Sequence, residues 1–189
     1  MNDGRIPYSD ALRLAEEFRS LISHRCEQTQ IVGSLRRKRA TVKDIELLVE
    51  PAFIDVPEGL FGDTQRTNLL RLFMLELKEA GIVRDRLGKD GKGAFGDRFM
   101  RMIWKGVAVD LFVCLPPAQY GVLEIIRTGS AEFSKKLMIP KHQGGYMPLG
   151  MRIEDGQLLD RGELVRTPTE QCVFEAIGLP YVRPENREL

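Results

Sequence analysis

The spacing of apolar residues changes period several times along the chain. From Ser9 onward, Ala11, Leu14, Ala15, Phe18, Leu21 and Ile22 recur at helical intervals. This predicts a helix over about 10–23 with Ser9 as its N-cap. Gln30-Ile31-Val32 reads as a short strand ending at Gly33-Ser34. Between Asp44 and Val49 the period drops to two: Ile45, Leu47 and Val49 point one way, Asp44 and Glu46 the other. Pro51 to about Thr67 is rich in Pro, Gly and Asp and reads as loop. Leu69, Leu72, Phe73, Leu77 and Ala80 mark one face of a second helix that Gly81 closes. Gly88 to Gly96 reads as a turn region. Arg98 to Lys105 and Val107 to Leu115 then form a predicted hairpin about Gly106.

The last third is less regular. Ser130 is a cap for a short helix carrying Phe133 and Leu137, stopped by Pro140. Gly144, Gly145 and Gly150 interrupt strand-like pieces. Thr167-Pro168-Thr169-Glu170 has the pattern of a capping box, with Thr167 as cap, Pro at the first helical position and Glu at the third. Val173, Phe174 and Ile177 give that helix its buried face, and Gly178 with Pro180 ends it.

The 189 residues suit one domain, or one with a smaller appended lobe, and 43% hydrophobic residues supply an ordinary core. Lys and Arg number 28 against 27 Asp and Glu, so the net charge is only +1. Binding to a polyanion therefore needs a local patch, not bulk charge. Cys26, Cys114 and Cys172 are odd in number and widely spaced, which favours reduced thiols over a disulfide or zinc framework. No apolar run approaches a membrane span and no signal-peptide pattern opens the chain, so the expected location is cytoplasmic.

Candidate chemistry lies on the polar faces of the strands. Asp44 and Glu46 share one face, about 6.5–7 Å apart along the chain. In Val107-Ala108-Val109-Asp110-Leu111-Phe112-Val113 the valines and Leu111 face the core, which turns Asp110 outward with Ala108 and Phe112. If the two strands are neighbours, three carboxylates converge. Their mutual repulsion calls for cations, and hard oxygen donors without His or Cys favour Mg²⁺ or Mn²⁺. Two such ions about 3.5–4 Å apart activate an attacking hydroxyl and stabilise a leaving pyrophosphate. Gly33-Ser34 lets backbone N–H groups approach phosphate and adds a hydroxyl. Arg36 and Arg37 alternate along an extended chain, so one reaches phosphate and the other turns elsewhere. Gly88-Lys89-Asp90-Gly91-Lys92-Gly93 lacks the spacing of a phosphate-binding P-loop and reads as a surface loop. His24 and His142 read as surface histidines, and Trp104 as core.

Gly33-Ser34-Leu35-Arg36-Arg37 followed by Asp44-Ile45-Glu46 resembles the catalytic motif of the family X DNA polymerases, the polymerase β group of nucleotidyltransferases. Val109-Asp110-Leu111 resembles the strand bearing their third metal ligand. Tyr120-Gly121-Val122 through Arg127-Thr128-Gly129-Ser130 to Phe133 resembles the start of their thumb. Thr167 to Glu188, with Tyr181-Val182-Arg183-Pro184-Glu185, resembles their closing helix and C-terminal segment. The resemblance implies an α+β fold: a nucleotidyltransferase palm over residues 1–119, with a mixed β-sheet and helices on one face, then a small α/β thumb over 120–189.

The same resemblance implies roles. Asp44, Glu46 and Asp110 would bind two divalent ions, Mg²⁺ or Mn²⁺. Gly33, Ser34 and Arg37 would hold the β and γ phosphates of a nucleoside triphosphate, with Lys43 over phosphate. Arg127, Thr128, Gly129 and Ser130 would lie along its sugar, and Ser134 near its base. Arg36, Lys135 and Lys136 would touch DNA. A primer 3′-hydroxyl would attack the α-phosphate in line and release pyrophosphate, in gap filling or repair synthesis on primer-template or gapped DNA, by a monomer without membrane contact. Catalysis would be mostly positioning and charge neutralisation.

The chain departs from the family pattern at several points. Glu46 stands where these polymerases usually have Asp, and Lys43 where Gly is common. Ile126 and Arg127 replace two expected aromatics, which bears on ribose discrimination. Nothing upstream of Arg5 has the length of the lyase and helix-hairpin-helix modules of larger members. The expectation is a palm and thumb alone, as in the smallest viral members, without lyase activity. Two other readings remain: a template-independent or non-DNA nucleotidyltransferase acting on an RNA end, small molecule or protein, and a non-catalytic nucleic-acid-binding remnant. The three filled carboxylate positions oppose the last.

Overall fold

In the computed structural model, which describes residues 4–58, 63–88 and 90–188, the alternating strands become the centre of a five-stranded mixed sheet. A short strand β1 (Ile6–Pro7) runs straight into helix α1 (Tyr8–Ser23). Strand β2 (Cys26–Ile31) follows, then one helical turn, α2 (Gly33–Arg36), and a short strand β3 (Thr41–Val42) that pairs with β1. Next come β4 (Ile45–Pro51), a hairpin of β5 (Phe53–Glu58) and β6 (Asp63–Asn68), and helix α3 (Leu69–Glu79). Strands β7 (Val83–Asp85), β8 (Phe99–Trp104) and β9 (Val107–Val113) complete the main sheet, in the order β2-β4-β9-β8-β7. All its pairs are antiparallel except β4 with β9.

The period-two residues fill one face of this sheet. Ile45, Leu47 and Val49 lie opposite Val109, Leu111 and Val113, and Met102 and Met100 continue the rows on β8. All are buried, under Ala11, Leu14, Ala15, Phe18 and Ile22 of α1 and Leu70, Met74 and Leu77 of α3. Both helices thus cover the same face, as expected. Trp104 is core, edge-on to Phe18 at 5.2 Å between ring centroids.

A second, smaller core follows. Helices α4 (Tyr120–Thr128) and α5 (Ala131–Met138), a three-stranded sheet of β10 (Met151–Glu154), β11 (Gln157–Asp160) and β12 (Glu163–Val165), and helix α6 (Glu170–Ala176) surround Val122, Ile125, Phe133, Leu137, Val173 and Phe174. The molecule is α+β, a mixed sheet with helices on one face followed by a smaller α/β unit. A third cluster of Val32, Leu48, Cys114 and Tyr120 joins the two: α4 lies on the free face of the main sheet, and the Tyr120 hydroxyl donates to the Leu48 carbonyl at 3.2 Å.

Several local expectations change. Pro51 to Thr67 is not simply loop. Residues 53–58 and 63–68 pair as a hairpin, and 59–62 lie outside the described residues. Ile54 and Val56 of its first strand are exposed and its second strand is polar, so the hairpin packs little against the core. The N-cap of α1 is Pro7, without a side-chain bond, and Ser9 lies inside the helix. In α3 the buried residues are Leu70, Met74 and Leu77, while Leu72 is exposed. The cap of α6 is Thr169, whose side chain accepts from the Cys172 N–H, so Glu170 is the first helical residue and is not part of a capping box. Lys89 of the glycine-rich turn lies outside the described residues. The hairpin about Gly106 forms as expected, with Lys105 and Gly106 both at positive φ (48° and 79°), the turn whose twist suits antiparallel strands. Asp155-Gly156 and Arg161-Gly162 repeat that geometry in the smaller sheet.

Candidate active site

The register of the main sheet assembles the site. On its free face Glu46 of β4, Asp110 of β9 and Arg101 of β8 stand in one row across three neighbouring strands. The next row is Leu48, Phe112 and Phe99, and α4 covers part of it. The charged row opens beside this cover, with Asp44 one residue before β4.

Arginines hold two of the three carboxylates. Arg101 grips Asp110 in bidentate fashion, Nε to Oδ1 at 3.1 Å and Nη2 to Oδ2 at 3.0 Å, and this raises the guanidinium pKa. Arg86 Nη1 lies between the carboxylates, donating to Asp44 Oδ2 at 3.2 Å and Asp110 Oδ1 at 3.5 Å. Glu46 is turned the other way. Its carboxylate accepts from the Ser34 backbone N–H, and burial, then Asp44 and Asp110, push its pKa up to about 7. It also fills the space beside Gly33. A Cβ on that residue would lie 1.7 Å from Glu46 Oε2, and the backbone there has φ +66°. Glycine is therefore required at position 33 on two grounds.

A divalent ion fits this donor set in part. Asp44 and Asp110 already converge on a single cationic nitrogen, and the ligands are hard oxygens suited to Mg²⁺ or Mn²⁺. Glu46 joins them only after its side chain rotates away from Ser34. Accordingly, among the described residues no three acidic, imidazole or thiol groups stand close enough to hold an ion as they are.

Beside Asp44 lies a cleft of about 260 Å³ lined by Arg5, Ser34, Arg37, Arg39, Thr41, Lys43 and Glu188. It is strongly basic apart from Asp44 and Glu188. Glu188 accepts from Arg37 Nε at 2.7 Å and lies 3.8 Å from Arg39 Nε. A second cleft, about 420 Å³, lies between the sheet and the smaller unit and includes Arg98, Phe112, Leu123, Arg127 and Asp155. There the Arg127 guanidinium sits 4.0 Å over the Phe112 ring. Burial lowers its pKa, while Glu46 and Asp110 act against that loss.

Residues 125–188 match the family described as DNA polymerase beta thumb. Over 169 residues the chain is 26% identical to DNA polymerase lambda of Rattus norvegicus, covering 82% of this chain and 28% of that protein. The chain is thus similar to the family X DNA polymerases, over its C-terminal third by family model and over most of its length at low identity. It spans about 28% of the length of that curated relative.

The expected site residues fall into distinct places. Ser34, Arg37, Lys43 and Asp44 share the basic cleft, and Gly33 is buried behind Ser34 against Glu46. Gly33 to Arg36 is a helical turn and not the extended chain expected, so Arg36 and Arg37 do not alternate across a strand. Arg36, expected to reach DNA, is turned into the protein. Nη1 and Nη2 bind both Glu170 oxygens at 3.0 and 2.7 Å, Nη1 donates to Thr128 Oγ1 at 2.7 Å, and Nη2 lies 3.1 Å from Glu124. That arginine joins α2 to α4 and α6, because its partners are buried carboxylates that need a cation.

Thr128 is wholly buried, so its hydroxyl is taken up by Arg36. The carbonyls of Thr128 and Gly129 each accept from Arg37 Nη1 at 2.9 Å, which fixes Arg37 against the turn between α4 and α5. Ser130 caps α5, accepting from the Phe133 N–H at 3.2 Å. Ser134, expected near a base, donates to the Ile126 carbonyl at 2.7 Å and ties α5 to α4. Gly129 packs against both, since a Cβ there would lie 2.7 Å from Phe133 Cδ1 and from Ser134 Oγ. Lys135 is exposed, and Lys136 lies 5.7 Å from the Tyr146 ring centre.

Arg5, Arg86 and Arg101 also stand at the site without having been expected there, while Arg39 belongs to the basic run after Gly33-Ser34 that was. Arg101 was findable: it alternates out of the core with Phe99 on a predicted strand. Arg86 carried no pattern, since it follows the short edge strand β7. The buried Arg187 was missed as well. It is 0% exposed, donates to Glu170 Oε2 at 2.7 Å and to the Val182 carbonyl at 2.9 Å, and lies within 5.6 Å of the ring centres of Phe133, Phe174 and Tyr181.

Proposed function

We propose that this chain is a nucleotidyltransferase that adds deoxynucleotides to a DNA primer 3′-hydroxyl with release of pyrophosphate, in gap filling or repair synthesis. One observation carries the reading: a basic cleft with Ser34, Arg37 and Lys43 opens beside Asp44, in a sheet whose register sets Glu46 against Asp110. Residues 1–119 act as palm and 120–189 as thumb.

Asp44 and Asp110 would hold Mg²⁺ or Mn²⁺, with Glu46 completing the site for two ions once rotated from Ser34. Bound ions would polarise the primer hydroxyl and neutralise charge on the phosphates. The chain's own part is positioning. Ser34, Arg37, Lys43 and Arg5 bind the β and γ phosphates. Entering phosphate takes the place of the Glu188 carboxylate on Arg37. The Gly33 turn lets backbone N–H groups approach closely. Arg127 and the Thr128-Gly129-Ser130 turn border the sugar, and Lys135 and Lys136 face DNA.

Primer extension with labelled deoxynucleotides and ribonucleotides, in Mg²⁺ or Mn²⁺, tests this. Extension of a gapped or recessed primer supports it. Transfer only to an RNA end, small molecule or protein points to the alternative nucleotidyltransferase. No transfer to any acceptor sinks both.

A further inference from the structure

Arg86 and Arg101 both bind the candidate ligands, yet they are held very differently. Arg101 is fixed by register. It stands directly across from Asp110 on the adjacent strand, and its fork meets both carboxylate oxygens in parallel. Arg86 lies just past the end of β7, with its side chain 31% exposed. A single nitrogen makes both of its contacts, at 3.2 and 3.5 Å. These are longer than the roughly 2.7–2.9 Å of a strong charge-assisted bond. The nitrogen nevertheless occupies the point on which Asp44 and Asp110 converge. A guanidinium and a divalent cation cannot share that point.

We propose that Arg86 is an exchangeable counter-cation of the Asp44–Asp110 pair, and that a divalent ion enters only by displacing it. Arg101 stays in place and orients Asp110. The consequence is a site that is charge-compensated and closed at low metal concentration, and whose metal affinity is set by competition with its own arginine. The proposal rests on the reading of Asp44 and Asp110 as ligands.

The test uses the full chain without nucleotide or DNA. Mn²⁺ binding is titrated by the electron paramagnetic resonance signal of the free ion, for wild type, Arg86→Ala, Arg86→Lys and Asp110→Asn. Circular dichroism checks that each variant is folded. The expected result is Mn²⁺ binding roughly tenfold tighter in Arg86→Ala than in wild type, with Arg86→Lys between them. Should Arg86→Ala fail to fold, the ordering of Arg86→Lys against wild type decides. Wild-type binding that is lost in Asp110→Asn but unchanged or weakened in Arg86→Ala overturns the proposal and leaves the ligand reading intact. Binding that Asp110→Asn leaves untouched, or no binding in wild type and Arg86→Ala alike, overturns the ligand reading and the proposal with it.

Discussion

Two clusters of charge lie on either side of α4, and they are built to opposite standards. In the first, Arg36 and Arg187 meet Glu124 and Glu170 in a buried, balanced network, joined by the Tyr181 hydroxyl at 2.8 Å from Glu170. Burial alone would raise the Glu170 pKa, but hydrogen bonds from Arg187 and Arg36 outweigh it and hold the carboxyl below its usual range. In the second, Asp44, Glu46 and Asp110 crowd together with Arg101 and a loosely placed Arg86, and burial, then the two aspartates, push the Glu46 pKa up to about 7. The first cluster uses its charges to lock the smaller unit to the sheet. The second balances its carboxylates with Arg101 and with a loosely held Arg86, which an incoming cation would displace under the proposed function. The first network is well paired, although Arg187 Nη2 is buried without a hydrogen-bond partner, and well-paired polar networks rigidify, while perturbed carboxylates mark candidate sites.

The sharpest way to break this contrast is Asp110→Asn. Transfer should fall roughly a thousandfold or more in single-turnover extension, with little change in melting temperature. Intact transfer would show that the open cluster is not the reactive one.

Arg187→Ala attacks the other cluster. It removes a fully buried guanidinium and leaves Glu170 half-paired, at a cost of about 3–5 kcal/mol in urea denaturation. A cost under about 1 kcal/mol would mean that the network does not lock the fold.

Glu46→Gln separates stability from function. The folded pKa of Glu46, about 7, exceeds its ordinary 4.5, so the folded protein holds that proton more tightly than the unfolded chain. This contribution favours the folded state at low pH and is lost as pH rises from about 4.5 to about 7, by up to about 3 kcal/mol. Urea midpoints followed from pH 5 to 8 should fall for wild type and stay flatter for Glu46→Gln, even as transfer is lost.

The smallest effect concerns the rim between the clusters. Glu188→Gln should free Arg37 and lower the apparent KM for nucleotide about threefold, the scale of one partly exposed ion pair. An unchanged or higher KM would place the phosphates elsewhere.

The core is legible in the chain because period two is local. Ile45, Leu47 and Val49 had to face away from Asp44 and Glu46 in any strand, and the same logic turned Asp110 outward. Arg36 shows where that logic stops. Placed after Gly33-Ser34, it was expected to meet nucleic acid, and nothing nearby in sequence hinted that its partner is Glu170, 134 residues away. Glu170 itself was expected to cap a helix, because local rules know only local hydrogen bonds. The β5–β6 hairpin escaped notice for another reason: its strands pair mainly with each other, and the short Ile54–Val56 alternation sits among Pro, Gly and Asp that read as loop.

The sequence by itself determined which residues are acidic, which strand face each occupies, and where glycine and capping side chains shape the turns, since these depend on neighbours one to four positions apart. Only the tertiary structure decided which cation each carboxylate meets. It sent Arg36 inward, brought Arg86 between Asp44 and Asp110, and buried Arg187 among three rings. Those choices depend on strand order and on packing across long stretches of chain, where Coulomb energy and desolvation are settled by distance in space.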